Sequence, residues 1–345
     1  MADARHPPTP LGASGLKVSK LWLGTMMFGD QTDESEAGRI VAAARDAGIN
    51  ALDTADAYAG GESERITGRL IAADRERWVL ATKLANPTSK DPNDRGLSRR
   101  HMIRALDASL KRLGSEWVDI LYLHRDDETT PLEETVAAMG HLLSTGKVHY
   151  FGVSNFRAWR VARIVEMCRA AGIPPPIVCQ PPYNAMTRGI ETELLPCCAH
   201  YGVGVVAYSP LARGVLSGKY APGAAPPEGS RAARNDTRIL QTEFRTESVA
   251  FAKRIAEHAV ARGRTPLQFA LGWVWNNALV HGLIGGPKTL AQWQAYLDAI
   301  DAPFDAEDEA LVDSMVAPGH ASTPGYTDPV YPVTGRRPRG PQVTR

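Results

Sequence analysis

Cysteine is scarce. Four residues in 345, Cys168, Cys179, Cys197 and Cys198, are too few for a disulfide framework in a chain of this size, so a reducing compartment is the simpler expectation. The run Cys197-Cys198-Ala199-His200 lacks the ligand spacing of a zinc site and has no second cluster to complete one. It reads as buried helix, and no metal is expected. Neither sign of charge is in surplus: 39 Lys and Arg against 38 Asp and Glu leave a formal net charge of +1, which gives no electrostatic case for nucleic acid or an acidic membrane surface. No apolar run approaches the roughly 18 residues of a membrane span, and Met1 to Pro8 lacks the apolar core of a secretory signal. A cytoplasmic location is the resulting expectation. What is present, 43% hydrophobic and 22% charged residues, is enough to bury a large core.

Length alone would allow two average domains, but one grammar repeats along the chain. Leu16 to Gly24 reads as short strands, with Gly24-Thr25-Met26-Met27 ending the first long one. Asp33 with Glu36 three residues on marks a helix start, Ile40, Val41, Ala44 and Ala47 keep helical spacing, and Gly48 stops it. Apolar runs then end at Asp53, Lys83, His124 and Ser154-Asn155, each followed by a helical pattern. Ser98 is expected to cap the helix carrying Ile103, Leu106, Leu110 and Leu113. Thr130-Pro131-Leu132-Glu133 is expected to form a capping box. A further stripe of Val161, Ile164, Val165 and Cys168 ends at Gly172. Ile177–Gln180, Gly204–Tyr208 and Val280–Ile284 complete a count of eight strands. Alternation of this kind predicts an α/β fold, a single (β/α)8 TIM barrel spanning residues 1–317.

Two stretches break the alternation. Leu216 to about Arg245 is rich in Pro, Gly, Arg and Ser and too long for an ordinary connection, which marks it as a functional lid. Residues 318–345 form a Pro-, Gly- and Arg-rich tail with two open readings. Either it folds over the pocket mouth, with Tyr326 and Tyr331 as walls, or it stays disordered.

In a parallel barrel, Asp53, Tyr58, Lys83 and His124 all emerge at the C-terminal face, where barrel enzymes keep their chemistry. Reducing a carbonyl needs a hydride at carbon and a proton at oxygen. A phenol can supply that proton once its pKa falls from about 10. Lys83 beside Tyr58 would lower it by favouring the phenolate, Asp53 would hold Lys83 charged and in place, and His124 would orient and polarise the carbonyl.

With these four residues in this order, the chain resembles the aldo-keto reductases. The resemblance, from about Leu11 to Leu297, implies an N-terminal β-hairpin plugging the barrel bottom, a long loop closing over the cofactor, and NADPH-dependent reduction of an aldehyde or ketone. It implies further that Ser154, Asn155 and Gln180 hold the nicotinamide amide and that Tyr208 stacks on its ring. Ser209, Pro210, Leu211, Arg213 and Lys219 would line the pyrophosphate, and Gly24, Thr25 and Met26 would border the cofactor. Arg231 and Lys288 match positions near the adenosine 2′-phosphate, with Gly286 and Gln292 on the adenosine side. Gln292 also has a local role open to it, as the N3 partner of Thr289 in a capping box. Tyr296 stands where relatives carry an adenine-binding Asn; it either only packs, with Trp293, Leu297 and Ile300, or offers its ring edge to adenine. Gly202-Val203-Gly204-Val205-Val206-Ala207 matches the dinucleotide-binding pattern, but it opens a strand instead of following one, so it is read as a decoy.

Met27, Phe28, Phe156 and Tyr183, with Met26 nearby, are expected to wall an apolar substrate pocket beside Tyr58 and His124. The expected partner is thus a small-molecule carbonyl substrate. A second reading is a cofactor-binding interaction subunit resembling potassium-channel beta subunits, with Arg95-Gly96-Leu97-Ser98-Arg99 as the matching stretch. A sugar isomerase or aldolase on the same barrel lacks the metal ligands or Schiff-base context it would need.

Overall fold

Side chains along a strand alternate between two faces, and in this chain the alternation sorts residues into the inside and outside of a closed barrel. The computed structural model describes residues 7–333; residues 1–6 and 334–345, which include the expected signal-free start and the end of the tail, lie outside them. Strands β1 (Thr9–Pro10) and β2 (Lys17–Val18) pair antiparallel as a hairpin. Eight parallel strands follow: β3 (Leu21–Gly24), β4 (Ala51–Asp53), β5 (Val79–Leu84), β6 (Val118–Leu123), β7 (Val148–Ser154), β8 (Val178–Gln180), β9 (Gly204–Ala207) and β10 (Gly282–Gly285). They pair in sequence order and β10 closes back onto β3.

One apolar cluster fills the barrel interior: Trp22, Ala51, Val79, Ala81, Ile120, Tyr122, Val178, Val206 and Ile284, joined from below by Leu11 and Val18 of the hairpin. Intervening residues such as Leu21, Leu23, Leu52, Leu80, Leu121 and Val205 face outward into a second, larger core beneath the helices. The decoy motif is explained here. Ala13 N–H donates to Gly202 O at 2.8 Å, and a Cβ on Gly204 would stand 2.7 Å from Gly12 N, so these glycines let the hairpin dock against the barrel bottom.

The helices are α1 (Glu34–Asp46), α2 (Glu62–Ile71), α3 (Arg99–Leu113), α4 (Leu132–Ser144), α5 (Ala158–Ala170), α6 (Leu194–Tyr201), α7 (Thr237–Thr242), α8 (Thr246–Ala261), α9 (Pro266–Asn276), α10 (Leu290–Asp298) and α11 (Ala306–Met315). Asp33 and Ser98 cap α1 and α3 as their sequences predict. Thr130 does not cap α4. Its hydroxyl donates at 2.6 Å to the Asp127 carboxylate, which also accepts from Leu97 N–H and Thr129; a carboxylate outcompetes the helix as acceptor. At α10, Thr289 accepts from Gln292 N–H, but the Gln292 side chain accepts from Lys288 N–H at 2.8 Å, so only half a capping box forms.

The long segment after β9 is partly ordered: a 3-10 turn at Ala212–Ser217, then α7, with Tyr220, Ala232 and Ile239 buried against the barrel. The tail, as far as residue 333, takes the folded reading. Arg238 grips Asp328 with two bonds of 3.0 and 2.6 Å, Arg157 donates to the carbonyls of Tyr331 and Pro332, and the Arg245 guanidinium lies 3.7 Å over the Tyr326 ring. Among the described residues, no helix is long and apolar enough to cross a membrane, no acidic, His or Cys group could hold a metal, and the four cysteines are free.

Candidate active site

The same alternation that puts Ala51, Ala81 and Tyr122 inside the barrel brings the next inward residue of each strand to its C-terminal mouth. Asp53, Lys83, His124, Ser154, Gln180 and Tyr208 are those residues, and the turn after β4 adds Tyr58. Lys83, fully buried, contacts Asp53 Oδ1 and donates to Thr54 O at 2.8 Å and to the Tyr58 hydroxyl at 3.3 Å. Gln180 Nε2 donates to the other Asp53 oxygen at 2.7 Å. Beneath the ammonium lies the Tyr122 ring, and only glycine at 152 leaves it room: a Cβ there would stand 2.7 Å from the ring.

The electrostatics correct one expectation. Burial would strip charge from Lys83, but Asp53 and then Tyr58 hold its pKa above the usual lysine value, so it stays an ammonium. For Tyr58, burial outweighs the lowering by Lys83, and Asp53 opposes it further, so the phenol pKa is raised and not lowered. Tyr58 is therefore fully protonated at neutral pH, an acid held in reserve. His124 is driven down to about 3 by burial, Lys83 and Arg125, which makes its ring neutral. That ring meets Tyr58 edge-on with centroids 5.9 Å apart, and its Nδ1 lies 3.0 Å from Asn86 Nδ2. Behind Tyr58, Asp56 is buried with both carboxyl oxygens unpartnered among the described residues; burial and Glu64 push it up to about 7.

A polar chain crosses the barrel mouth. Ser154 Oγ donates to Gln180 O at 2.8 Å, Asn155 Nδ2 donates to His124 O at 2.9 Å and to Ser154 Oγ, and Tyr208 OH donates to Asn155 Oδ1 at 2.8 Å. From here a cavity of about 940 Å³ runs outward under the long segment. It is lined by Gly24, Met26, Met27, Asp53, Tyr58, His124, Ser154, Asn155, Gln180, Tyr208, Ser209, Pro210, Leu211, Arg213, Lys219, Arg231, Gly286, Lys288, Gln292 and Tyr296, so nearly every residue singled out from the sequence borders one space.

Four do not. Thr25 is buried, its hydroxyl spent on Asp53 O and Ser63. Phe28 and Phe156 turn into the outer core. Tyr183 packs 4.9 Å from Trp273, donates to Glu191 at 2.6 Å, accepts from Asn277, and lines a separate cavity of about 310 Å³. Among the lining residues given no site role from the sequence are Asn86, Ser217, Ser230 and Arg238; Tyr331, one of the two possible tail walls, also borders the cavity. All lie on loops or in short segments beyond strand ends, where periodicity carries no signal.

The outer end is a concentration of positive charge. Burial, then Arg234, Arg231 and Lys219, bring Lys288 down to about 8; Lys219 is lowered by burial and by Arg231 and Arg234. Arg231 is lowered by burial and by Arg213 and Arg234, against the opposing pull of Asp236. Cations that depress one another in a cavity wall are poised for a polyanion.

Comparison with known proteins fits this geometry. The chain is 38% identical over 298 residues to a probable voltage-gated potassium channel subunit beta of Arabidopsis thaliana, covering 84% of this chain and 90% of that one. It is 35% identical to the L-glyceraldehyde 3-phosphate reductase of Escherichia coli (89% and 92% covered) and 36% identical to an uncharacterized oxidoreductase of Bacillus subtilis (92% and 98%). The model of the Aldo/keto reductase family matches residues 20–317. With that match over most of its length, the chain belongs to the aldo/keto reductase family of oxidoreductases.

Proposed function

We propose that this protein is an NADPH-dependent reductase of aldehydes or ketones, acting on apolar carbonyls. The observation that carries the reading is one cavity with a neutral acid-and-donor cluster at its inner end and mutually repelling cations at its outer end. The donor set fits NADPH: the amide and hydroxyl groups of Ser154, Asn155 and Gln180 suit a carboxamide, Tyr208 suits a flat ring, and Arg213, Lys219, Arg231 and Lys288 suit phosphates. When bound, the coenzyme supplies the hydride.

The residues of the chain do the rest. His124, neutral, donates a hydrogen bond to the carbonyl oxygen and fixes its direction. Tyr58 gives that oxygen its proton as negative charge develops there. Lys83, held charged by Asp53, stabilises the resulting phenolate and so offsets part of what burial costs it. Met27, Ala57, Val330 and Tyr331 make the nearby wall mainly apolar, which favours bulky aromatic or aliphatic carbonyls over sugars.

The potassium-channel relatives support a second reading, a cofactor-binding interaction subunit. In this chain the Arg95–Arg99 stretch is accounted for by folding: Leu97 is buried, Ser98 caps α3, and Gly96 sits against Asp127. NADPH consumption against a broad panel of aldehydes and ketones, with NADPH titration in parallel, separates the two. Turnover supports the reductase, whereas tight NADPH binding without reduction of any carbonyl favours the interaction subunit.

A further inference from the structure

His124 has its backbone fixed on both sides. Its N–H donates to Leu84 O at 2.9 Å and its carbonyl accepts from Asn155 at 2.9 Å, so what remains to be set is the ring. A neutral imidazole has one proton and two nitrogens, and only the nitrogen that carries it can donate to a carbonyl oxygen. The group that meets Nδ1 is the Asn86 amide, at 3.0 Å, in the wall of the cavity.

The backbone goes to some trouble to put it there. Immediately before Asn86, Ala85 adopts φ 114, in the region that L-residues avoid, and its carbonyl is pinned by Gly96 N–H at 2.9 Å. Strain of this kind, of order 1–3 kcal/mol, persists where surrounding structure imposes it, and it gathers at functional sites. Around this mouth Asn155, Ser209, Ala212 and Arg213 also have positive φ.

We propose that Asn86 is a positioning residue that sets the tautomer of His124. Donating to Nδ1, it leaves the ring proton on Nε2, the nitrogen that then serves a substrate oxygen. The catalytic consequence rests on the carbonyl-reductase reading; the tautomer itself does not. Lys83 and Arg125, the charged groups acting on the ring, both disfavour a second proton, so a single neutral tautomer should persist from about pH 5 to 8.

The test uses full-length protein labelled with 15N-histidine, with His124 assigned by loss of its signal in His124→Gln. Long-range 1H–15N correlation should show the Nε2–H tautomer in the wild type, unchanged over that range. Asn86→Asp keeps the shape but can only accept, so the proton should move to Nδ1 or the ring should become doubly protonated. Turnover should then fall about 100-fold, as for loss of one donor to a developing oxyanion, with NADPH affinity unchanged. Asn86→Ala should give mixed tautomers and a smaller loss, and it carries the test if Asn86→Asp does not fold. A wild-type ring protonated on Nδ1, or a ring whose tautomer neither substitution alters, overturns the proposal. If the wild type reduces no carbonyl, the tautomer signal still decides this point while the reductase reading fails separately.

Discussion

The two ends of the cavity are built on opposite plans. At the inner end, side chains project from adjacent strands held in register, Asp53 beside Ala81 and Lys83 beside Tyr122, and Asp53, Gln180, Lys83 and Tyr58 satisfy one another. At the outer end the working groups come from the long segment, the turn after β9 and the loop after β10. There Lys219, Arg231 and Lys288 crowd one another, opposed by Asp236, which reaches Arg231 at 3.5 Å, and by Asp30 acting on Lys288. The contrast separates two tasks. A proton-transfer unit needs fixed geometry and internal charge balance, whereas a polyanion site stores unbalanced charge that the ligand neutralises.

The largest expected effect lies at the inner end. Tyr58→Phe keeps the ring and should lower turnover by about 10² to 10⁴-fold, while NADPH binding stays near wild type because the cofactor contacts lie elsewhere; stopped-flow turnover with fluorescence titration reads both. Unchanged turnover would erase the distinction between the ends.

Next comes the outer end. Arg231→Ala and Lys288→Met should each weaken NADPH by roughly tenfold to a hundredfold, as expected for loss of a charged hydrogen bond worth about 1.5 to 3 kcal/mol, and leave NADH nearly unchanged. Equal dissociation constants for NADPH and NADH in the wild type would remove the case for a 2′-phosphate site.

A pH effect follows with a definite sign. Lys288 titrates at about 8 in the free protein, and a bound phosphate would raise that value. Affinity for NADPH should therefore be full below about pH 8 and fall above it, by at most about tenfold per pH unit. NADH, and the Lys288→Met variant, should show no such slope in calorimetric titrations.

Smallest is the tail clamp. Arg238 and Asp328 are partly exposed, and Asp328→Ala should cost about 1 kcal/mol or less in stability, read as a melting shift of a few degrees at most. The apparent KM for bulky carbonyls should change more than kcat, because the substitution loosens the Tyr331 wall.

The difference between the ends also explains what could be read from the sequence. A strand period of two, continued to the last residue, predicts that Asp53, Lys83, His124, Ser154 and Gln180 face inward, and they do. Phe156 shows where the rule stops: its parity with Ser154 suggests an inward ring, but Asn155 at φ 60 leaves the strand and turns Phe156 into the outer core. Tyr183 and Phe28 fail similarly, each placed by a loop. Asn86 was invisible because its position depends on the strained turn at Ala85, which no alanine announces. The Tyr58 pKa was misjudged for a different reason, since sequence shows the neighbour Lys83 but not the burial that outweighs it.

The central claim is that Tyr58 and Lys83 form one proton-transfer unit, and a double-mutant cycle tests it most directly. Turnover is measured for the wild type, Tyr58→Phe, Lys83→Met and the double variant, with NADPH saturating. If the two residues are one unit, the double variant should be no slower than the slower single variant, within about threefold. Losses that multiply, so that the double variant falls by the product of the two single effects, would contradict the account and make Lys83 an independent contributor.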